Sequence, residues 1–426
     1  MMNPGCSHRR FVPRPSRAVL VVPIALTLAL SANLAMMTTA SAREPGQWTQ
    51  LSEFPANASY PLGTTTDEPA VARIAGALQV IWPGQKAPDR MSYYTAILAP
   101  NGSVQTPARE MVSDWVDLAR NPAVISVAGH QVLAFSGLQS TMPGGARTSG
   151  AEYSATSPDG LTWALSPGSL SATTSAYAGY GNAVVGLDAG PVWVGNAGST
   201  SGVDWHVGQS PSDPAPAGSD ATFRLTGCCA YDAAAARDES TGDVYTAFYS
   251  NSSTPGESGV WLGRILPTQG PFTRVAGSST VFNGADASLE PGQRVALAAR
   301  SGGNVYVAVK VGYPTVRSIH LVNASTGAFV TVPRSAGASR IALAPGAGGR
   351  LWVAWVVGDR VKVAVTNAAV TSARGVSTLR APRGSRALWS LAISHIEASS
   401  RDRLDVVVTA DSVGDQVNVW HTQVRL

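Results

Sequence analysis

The chain has 426 residues, of which 31 are Lys or Arg and 27 are Asp or Glu, so its formal charge is +4. Apolar residues make up 44% of the chain and charged residues 14%, a composition that supports a packed core and argues against an intrinsically disordered protein. The whole positive excess lies within the first seventeen residues, so the remainder lacks the surplus of cations that binding to nucleic acid or to an anionic membrane requires.

The N-terminal residues have the order of a secretory signal peptide. Four arginines precede an apolar run over residues 18–37, and Ala-Ser-Ala at 40–42 follows as a small-residue cleavage site. Cleavage after Ala42 would leave residues 43–426 as the mature, secreted chain, with 27 basic and 27 acidic residues. A retained membrane anchor is the alternative, although a proline and polar residues interrupt the run. The pair Arg9-Arg10 leaves export by a twin-arginine route open.

One pattern recurs along residues 43–426: a short apolar run, a turn that contains glycine, and a second run rich in Val and aromatic residues. Each copy predicts a β-hairpin. Small residues dominate the first run and aromatic residues the second, which is expected when the first strand lies nearer an axis than the second. Seven copies are marked by an alanine in the first run: Ala70, Ala123, Ala183, Ala234, Ala296, Ala342 and Ala392.

The spacing of these markers ranges from 46 to 62 residues. A unit of this size accommodates four short strands, so we predict an all-β chain that folds as a seven-bladed β-propeller of four-stranded antiparallel blades, in one domain over residues 43–426. Six blades remain the alternative because the last copy is irregular. We expect an early strand over residues 48–51 to close the ring by pairing with residues 417–421, which would leave no long sheet edge open.

Residues 157–163, Ser-Pro-Asp-Gly-Leu-Thr-Trp, resemble the Asp-box of sialidase-like propellers (the bacterial neuraminidase repeat), and residues 199–205 resemble a degenerate copy. In that superfamily the box is a turn between outer strands. The Asp accepts backbone N–H bonds, the Gly supplies a positive φ, and the Trp packs into the core. The resemblance therefore implies a structural role for Ser157, Asp159, Gly160 and Trp163.

Sialidases also carry an early Phe/Tyr-Arg-Ile-Pro segment, whose arginine is one of three that bind the sugar carboxylate. The nearest segment here is Val-Ala-Arg-Ile-Ala at residues 71–75, which lacks both the aromatic residue and the proline. The resemblance therefore implies sialidase-like architecture with an incomplete set of sialidase motifs.

Cys228 and Cys229 are adjacent and are the only cysteines outside the signal segment. In an oxidising compartment such a pair would tend to close into a vicinal disulfide. That ring could be a flat platform for a ligand or could fix a tight turn, and the alternative is a pair of reduced, buried thiols. No metal-ligating spacing of Cys or His is present, so we predict no cofactor and no transition-metal site, while structural calcium stays open.

Ligands of propellers usually meet the central funnel where the innermost strands begin. The residues just ahead of the predicted first strands are polar, and they include Arg for carboxylate binding and Tyr with carboxylates for glycoside chemistry. The predicted ligand-binding residues are Glu68, Arg120, Tyr180, Cys228, Cys229, Arg294, Arg340 and Trp389, and the predicted catalytic residues are Asp67, Tyr231 and Asp232. The alternative is that these residues make ordinary salt bridges and turn bonds between blades.

We therefore predict a secreted, monomeric, sialidase-like propeller that binds an extracellular glycan or another surface ligand in its funnel, with neither nucleic acid nor a membrane as partner once the signal is cleaved. Two alternatives stay open. One is an active exo-glycosidase of the sialidase type, and the other is a propeller that serves only as a scaffold for protein interactions.

Overall fold

The computed structural model describes residues 47–52, 68–87, 90–118, 122–127, 129–138, 151–165, 183–188, 190–196, 202–208, 221–227, 230–278, 295–312, 315–385, 387–396, 402–411 and 417–425. For a few of them, including Tyr231 and Asp232, only the backbone is described. The predicted signal peptide, residues 1–42, lies outside these ranges. No helix within them has the length and apolar character needed to cross a membrane.

In the described residues, 29 strands form seven antiparallel sheets. Strand β1 is Thr49–Gln50. Blade 1 contains β2 (Ala70–Ile74), β3 (Ala77–Ala87), β4 (Arg90–Leu98) and β5 (Val104–Trp115). Blade 2 contains the two-residue β6 (Asp117–Leu118), then β7 (Ala123–Val127), β8 (His130–Leu138), β9 (Ala151–Ser157) and β10 (Ala164–Leu165). Blade 3 contains β11 (Ala183–Leu187), β12 (Gly190–Asn196), β13 (Gly202–Val207) and β14 (Ala221–Arg224).

Blade 4 contains β15 (Ala230–Arg237), β16 (Val244–Ser250), β17 (Gly259–Leu266) and β18 (Thr273–Arg274). Blade 5 contains β19 (Ala296–Ala299), β20 (Val305–Val311), β21 (Ser318–Asn323) and β22 (Phe329–Val332). Blade 6 contains β23 (Ile341–Gly346), a 3-10 turn at Ala347–Gly349, β24 (Arg350–Val357), β25 (Arg360–Thr366) and β26 (Ala373–Arg380). Blade 7 contains β27 (Leu388–Ile396), β28 (Arg403–Asp411) and β29 (Val417–Arg425), with β1 as its outermost strand.

The innermost strands of the seven blades, which we call the inner strands, are β2, β7, β11, β15, β19, β23 and β27. Each inner strand contacts the inner strands of the two neighbouring blades, and β27 contacts β2, so they surround a common axis. The seven marker alanines all lie in these strands. The prediction of a seven-bladed propeller with four-stranded antiparallel blades is confirmed.

The ring closes between the first and last described segments of the chain. In β1, Thr49 is paired with His421 of β29. The next residues continue this edge, because Leu51 N donates to Val419 O and Val419 N donates to Ser52 Oγ, each at 2.8 Å. The expected pairing of residues 48–51 with residues 417–421 is therefore confirmed. It joins the first and last described segments of the propeller within one sheet.

Among the described residues, the hydrophobic core is divided into seven clusters, one between each pair of neighbouring blades. Small residues of the inner strands occupy the narrow part of each gap, and large side chains of the second strands fill the wider part. Fully buried examples from second strands are Trp82, Phe135, Phe248, Trp352 and Trp355. This taper explains the order of small and aromatic residues in each repeat.

Candidate functional site

We call the end of the axis at which the inner strands begin the start face, and the other end the opposite face. Each inner strand pairs along one edge with the second strand of its blade, and its other edge faces the axis. Backbone N–H and C=O groups on that edge are outside the ladder, so they can bind water or a ligand. The axis is therefore lined by donors and acceptors as well as by side chains.

A cavity of about 200 Å³ lies between the beginnings of the inner strands of blades 5, 6 and 1 and the middle of β27 in blade 7. It is lined by residues 68–71, 295–297, 341–343 and 391–393. Among these residues Glu68 is the charged one, and it is only 8% exposed. The volume is below the roughly 300–1,000 Å³ of sites for drug-sized ligands, so the cavity suits a small ligand or one end of a larger one.

Arg340 precedes β23 at the start face and is only 4% exposed. Its Nε donates a hydrogen bond of 2.6 Å to the backbone oxygen of Trp389 in the next blade. Its own backbone oxygen accepts a bond of 3.0 Å from Val356 N. The structure thus brings together two residues that the sequence predicts for ligand binding, Arg340 and Trp389, and places both beside strands that line the cavity.

Trp389 lies in a β-bulge of β27. Leu388 is paired with Ala410, but the next pair is Ser390 with Thr409, so Trp389 has no partner in the ladder. The Ser390 side chain compensates, because its Oγ accepts a bond of 3.2 Å from Thr409 N. A bulge leaves one residue unpaired and redirects it. Here the unpaired carbonyl of Trp389 is the group that Arg340 binds.

The inner strand of blade 4 also changes register at the start face, whereas the inner strands of blades 1, 2, 3, 5 and 6 keep their register over their described residues. The shift lies between Tyr231↔Tyr249 and Ala234↔Ala247, a stretch that contains the predicted residue Asp232. This irregular part of β15 therefore coincides with a position that the sequence predicts for the site.

Most of the other predicted site residues fall outside the described residues. They are Asp67, Arg120, Tyr180, Cys228, Cys229 and Arg294. Tyr231 and Asp232 are placed in β15 by their backbone alone. Their grouping around the funnel, and the oxidation state of the cysteine pair, stay predictions.

Glu257 holds the backbone that leads to Cys228, a role for which the sequence carries no signal. Its Oε1 accepts bonds from Thr226 N at 3.0 Å and Thr226 Oγ1 at 2.6 Å, and its Oε2 accepts bonds from Gly227 N at 2.8 Å and Ser252 Oγ at 2.9 Å. Burial acts to raise the pKa of Glu257, but these hydrogen bonds lower it below its ordinary value. The carboxylate therefore fixes the connection into blade 4 at the start face.

The segment that resembles an Asp-box forms the turn between β9 and β10 on the opposite face. Asp159 Oδ1 accepts bonds from Leu161 N at 2.8 Å and Thr162 N at 2.7 Å. Ser157 Oγ accepts a bond of 2.8 Å from Gly160 N, and Gly160 has a φ of +73°. These contacts make the segment a turn within one blade, remote from the cavity.

The Gly160 carbonyl of this turn also links two blades. It accepts bonds from Trp163 Nε1 at 3.1 Å and from Gln79 Nε2 of β3 at 2.6 Å. The weaker copy of the motif differs, because its residues 202–205 lie in β13 and form ladder pairs with β12 and β14. That part of the weaker copy is a strand rather than a turn.

The hydrogen bonds of this turn predict a low pKa for Asp159. The backbone bonds from Thr162 and Leu161 hold the pKa of its carboxyl at about 2, below its ordinary value of 3.8. We expect carbon-13 NMR of the side-chain carboxyls to show Asp159 titrating near pH 2. An Asp159 resonance that titrates near the ordinary value of 3.8 would show that the turn does not bind the carboxylate in solution.

Arg73, the arginine of the segment nearest to the sialidase motif, lies near the end of β2 and on the opposite face. Its guanidinium forms an ion pair with Asp405 of blade 7, which is 1% exposed. Asp405 Oδ1 also contacts His421 Nε2 at 2.6 Å and accepts a bond of 3.0 Å from Gln423 Nε2. Burial acts to raise the pKa of Asp405, but His421 and Arg73 lower it below its ordinary value. Arg73 therefore joins blades 1 and 7 and takes no part in the site around Arg340.

Similar polar contacts link other blades on the opposite face. Asp238 Oδ2 accepts a bond of 2.7 Å from Asn304 N between blades 4 and 5, and Arg350 lies 3.8 Å from Asp402 between blades 6 and 7. Within the part of the chain that the structure describes, no three His, Cys, Asp or Glu side chains are grouped to hold a metal ion. The prediction of no cofactor remains untested.

No protein-family model and no curated protein sequence matches the chain. Among solved structures, a puromycin hydrolase is 14% identical to this chain, with a TM-score of 0.46. The match covers 87% of this chain and 53% of the hydrolase, so the chain spans about half the length of the hydrolase. An α-L-arabinanase of Penicillium chrysogenum is 10% identical with a TM-score of 0.46 over 90% and 99% of the two chains. The fucose-specific lectin of Aleuria aurantia is 12% identical with a TM-score of 0.42 over 85% and 95%. At these identities the likeness concerns the fold alone.

Proposed function

We propose that the cavity at the start face binds a carbohydrate, and that the protein is a secreted propeller that recognises an extracellular glycan. The observation that carries this proposal is the burial of two opposite charges, Glu68 and Arg340, at the beginnings of inner strands that line the cavity. Charged side chains are rarely buried to this extent, because desolvation costs several kcal/mol per ion. Such groups beside an axial cavity are typical of a binding site.

The remaining surface of the cavity suits a sugar. The free edges of the inner strands offer N–H and C=O groups that can bond to hydroxyls, while Leu343, Leu391 and Ile393 offer apolar contact for C–H groups. The half-buried Trp389 lies two residues before Leu391 of the lining, and an indole can stack on a sugar ring. This combination of a few polar groups and an apolar wall supports the proposal.

More specifically, we propose that the glycan carries a carboxylate group. The planar guanidinium of Arg matches a carboxylate in geometry and charge.

Hydrolysis of a glycoside is the second candidate, and the position of Glu68 favours it. A buried carboxyl in the wall of a sugar site is the type of group that serves as acid or base in glycosidases. The partner group would come from the predicted catalytic residues Asp67, Tyr231 and Asp232. In this form the protein is an exo-glycosidase rather than a lectin.

The decisive experiment combines a glycan array with hydrolysis of fluorogenic glycosides, including a sialoside, using protein that starts at Arg43. We expect the wild type to bind carboxylate-bearing glycans. We expect Arg340→Gln to lower the affinity at least about 30-fold, since loss of one buried charged partner costs about 2 kcal/mol or more. Arg340→Lys keeps the positive charge but lacks the planar guanidinium that can bind a carboxylate through two hydrogen bonds, so it should recover part of the binding. The matched control is Arg380→Gln, an exposed arginine on the outermost strand of the same blade.

The outcomes separate the candidate functions. Binding without turnover supports the glycan-binding protein, whereas turnover that is lost in Glu68→Gln supports the glycosidase. If the wild type shows neither, or if Arg340→Gln binds as tightly as Arg380→Gln, the carbohydrate site is wrong and a scaffold for protein interactions is favoured. Expression of the full precursor, with sequencing of the mature N-terminus, tests secretion and cleavage after Ala42.

A further inference from the structure

Lys310 is a buried cation that the sequence analysis does not single out. It lies in β20, the second strand of blade 5, and is 5% exposed. Its Nζ donates a bond of 3.0 Å to the backbone oxygen of Ser339, which belongs to blade 6. Lysine is almost never buried without a partner, because removing its ammonium group from water is costly. This position therefore needs a reason beyond packing.

The carbonyl that Lys310 binds belongs to the peptide unit that leads into Arg340. The C=O of Ser339 and the N–H of Arg340 lie in one rigid plane, so a bond to the first group orients the second. The bonds from Ser339 N to Val356 O at 2.9 Å and from Val356 N to Arg340 O at 3.0 Å hold the same stretch against β24. Lys310 thus completes the fixation of the backbone from which the Arg340 side chain projects.

These contacts form a chain across three blades. Lys310 of blade 5 binds Ser339 of blade 6, and Arg340 of blade 6 binds the unpaired carbonyl of Trp389 in blade 7. The bulge at Trp389 is what makes that carbonyl accessible to Arg340. The chain runs along the same side of the ring as the cavity, where strands β19, β23 and β27 supply most of the lining.

We propose that Lys310 is a positioning residue for ligand binding, which acts by holding Arg340 in the orientation that the ligand meets. The proposal rests on the proposed carbohydrate site, and it assigns Lys310 a function in binding rather than in stability. The two roles are separated by what is measured. The melting temperature reports on stability, whereas exchange of the Arg340 side chain and sialoside affinity report on positioning.

The test compares Lys310→Met and Lys310→Arg with the matched control Lys362→Met. Lys362 also donates its Nζ to a backbone oxygen, that of Arg334 at 3.1 Å, but it lies in the third strand of blade 6 and outside the cavity lining. Each variant of the mature chain is measured for its melting temperature, for its affinity toward methyl α-sialoside and the methyl ester of that sugar, and for hydrogen exchange of the Arg340 side chain by nitrogen-15 NMR.

We expect Lys310→Met to weaken sialoside binding at least tenfold and to accelerate exchange of Arg340 Nε–H at least tenfold, with both changes present well below the melting temperature of the variant. The methyl ester should bind weakly to every variant. Lys310→Arg keeps the positive charge but changes the length and shape of the side chain, so it should accelerate exchange of Arg340 Nε–H less than Lys310→Met does. Lys362→Met should match the wild type in all three measurements.

The exchange measurement needs no ligand, so it separates this proposal from the proposed function. If exchange accelerates in Lys310→Met while the wild type binds no sialoside, the positioning of Arg340 by Lys310 stands and the proposed sugar class is wrong. If neither Lys310 variant changes the exchange of Arg340 Nε–H, the positioning role is overturned. If Lys310→Met does not fold, Lys310→Arg decides by the same criterion.

Discussion

Replacing Asp405 by alanine is expected to lower the free energy of unfolding by about 3–5 kcal/mol, the range observed when one partner of a buried ion pair is removed. The substitution would leave the Arg73 guanidinium without its carboxylate and would remove the acceptor of Gln423 and the partner of His421. Because Arg73 belongs to blade 1 and Asp405 to blade 7, the loss falls on the joint at which the ring closes. Urea denaturation of the variant and the wild type measures the difference.

Asp359→Ala is the matched control for Asp405. Its carboxylate lies 3.5 Å from Arg360 but is 66% exposed, so its removal should cost no more than about 1 kcal/mol. Nearly equal losses in the two variants would show that the contact between Arg73 and Asp405 does not join the blades in solution.

The same carboxyl predicts how stability depends on pH. The folded pKa of Asp405 lies below its ordinary value of 3.8, so its contribution is fully present above that value and is lost as the pH falls below it. We expect the wild type to lose stability in this acidic range by more than Asp405→Asn, which has no proton to take up there. Parallel stability curves for the two proteins below about pH 4 would contradict this assignment.

Replacing Leu51 by alanine is expected to cost about 2–5 kcal/mol, as for other buried leucines. Leu51 is 7% exposed and packs in the cluster between blades 7 and 1, with Leu78, Trp82 and Val419. It also continues the edge at which β1 completes blade 7. The cavity left by the substitution would therefore weaken both the hydrophobic contact and the closing strand, and urea denaturation would report the loss.

The control for Leu51→Ala is Val104→Ala, since Val104 is 41% exposed on the outermost strand of blade 1 and should change stability by less than about 0.5 kcal/mol. Amide hydrogen exchange adds a local readout. In Leu51→Ala, the amide of Val419 should exchange faster than amides in blade 4. Unchanged exchange at Val419 would contradict the role of Leu51 in closure.

The propeller could be predicted from the sequence because each blade repeats the same local physics. The alternation of apolar residues defines strands, glycines mark the hairpins, and the small residues around Ala70 or Ala342 contrast with the aromatic residues of Trp82 or Trp352. That contrast reflects the taper between neighbouring sheets, which every blade must satisfy. The closing strand was also predictable, because an unpaired outer edge in the last blade requires a partner.

The positions of three candidate residues at the start of inner strands could be predicted from the sequence, but their contacts could not. Glu68, Arg340 and Trp389 were identified as polar or aromatic residues at the beginnings of inner strands, and they do lie at the start face. The bond between Arg340 and Trp389 depends on a one-residue bulge, however, and no composition signal marks a bulge at that position. The roles of Lys310 and Glu257 escaped the sequence for a related reason, since their partners lie in other parts of the chain.

The sequence by itself determined the repeat and the taper of the core and favoured seven blades over six, because these follow from short-range periodicity that is copied seven times. Only the tertiary structure decided which charges meet. Asp405 reaches Arg73 and Lys310 reaches Ser339 across blade boundaries, over separations of 332 and 29 residues. Such contacts depend on strand register and on the rotation between blades, and a shift of one residue would redirect every side chain of the strand.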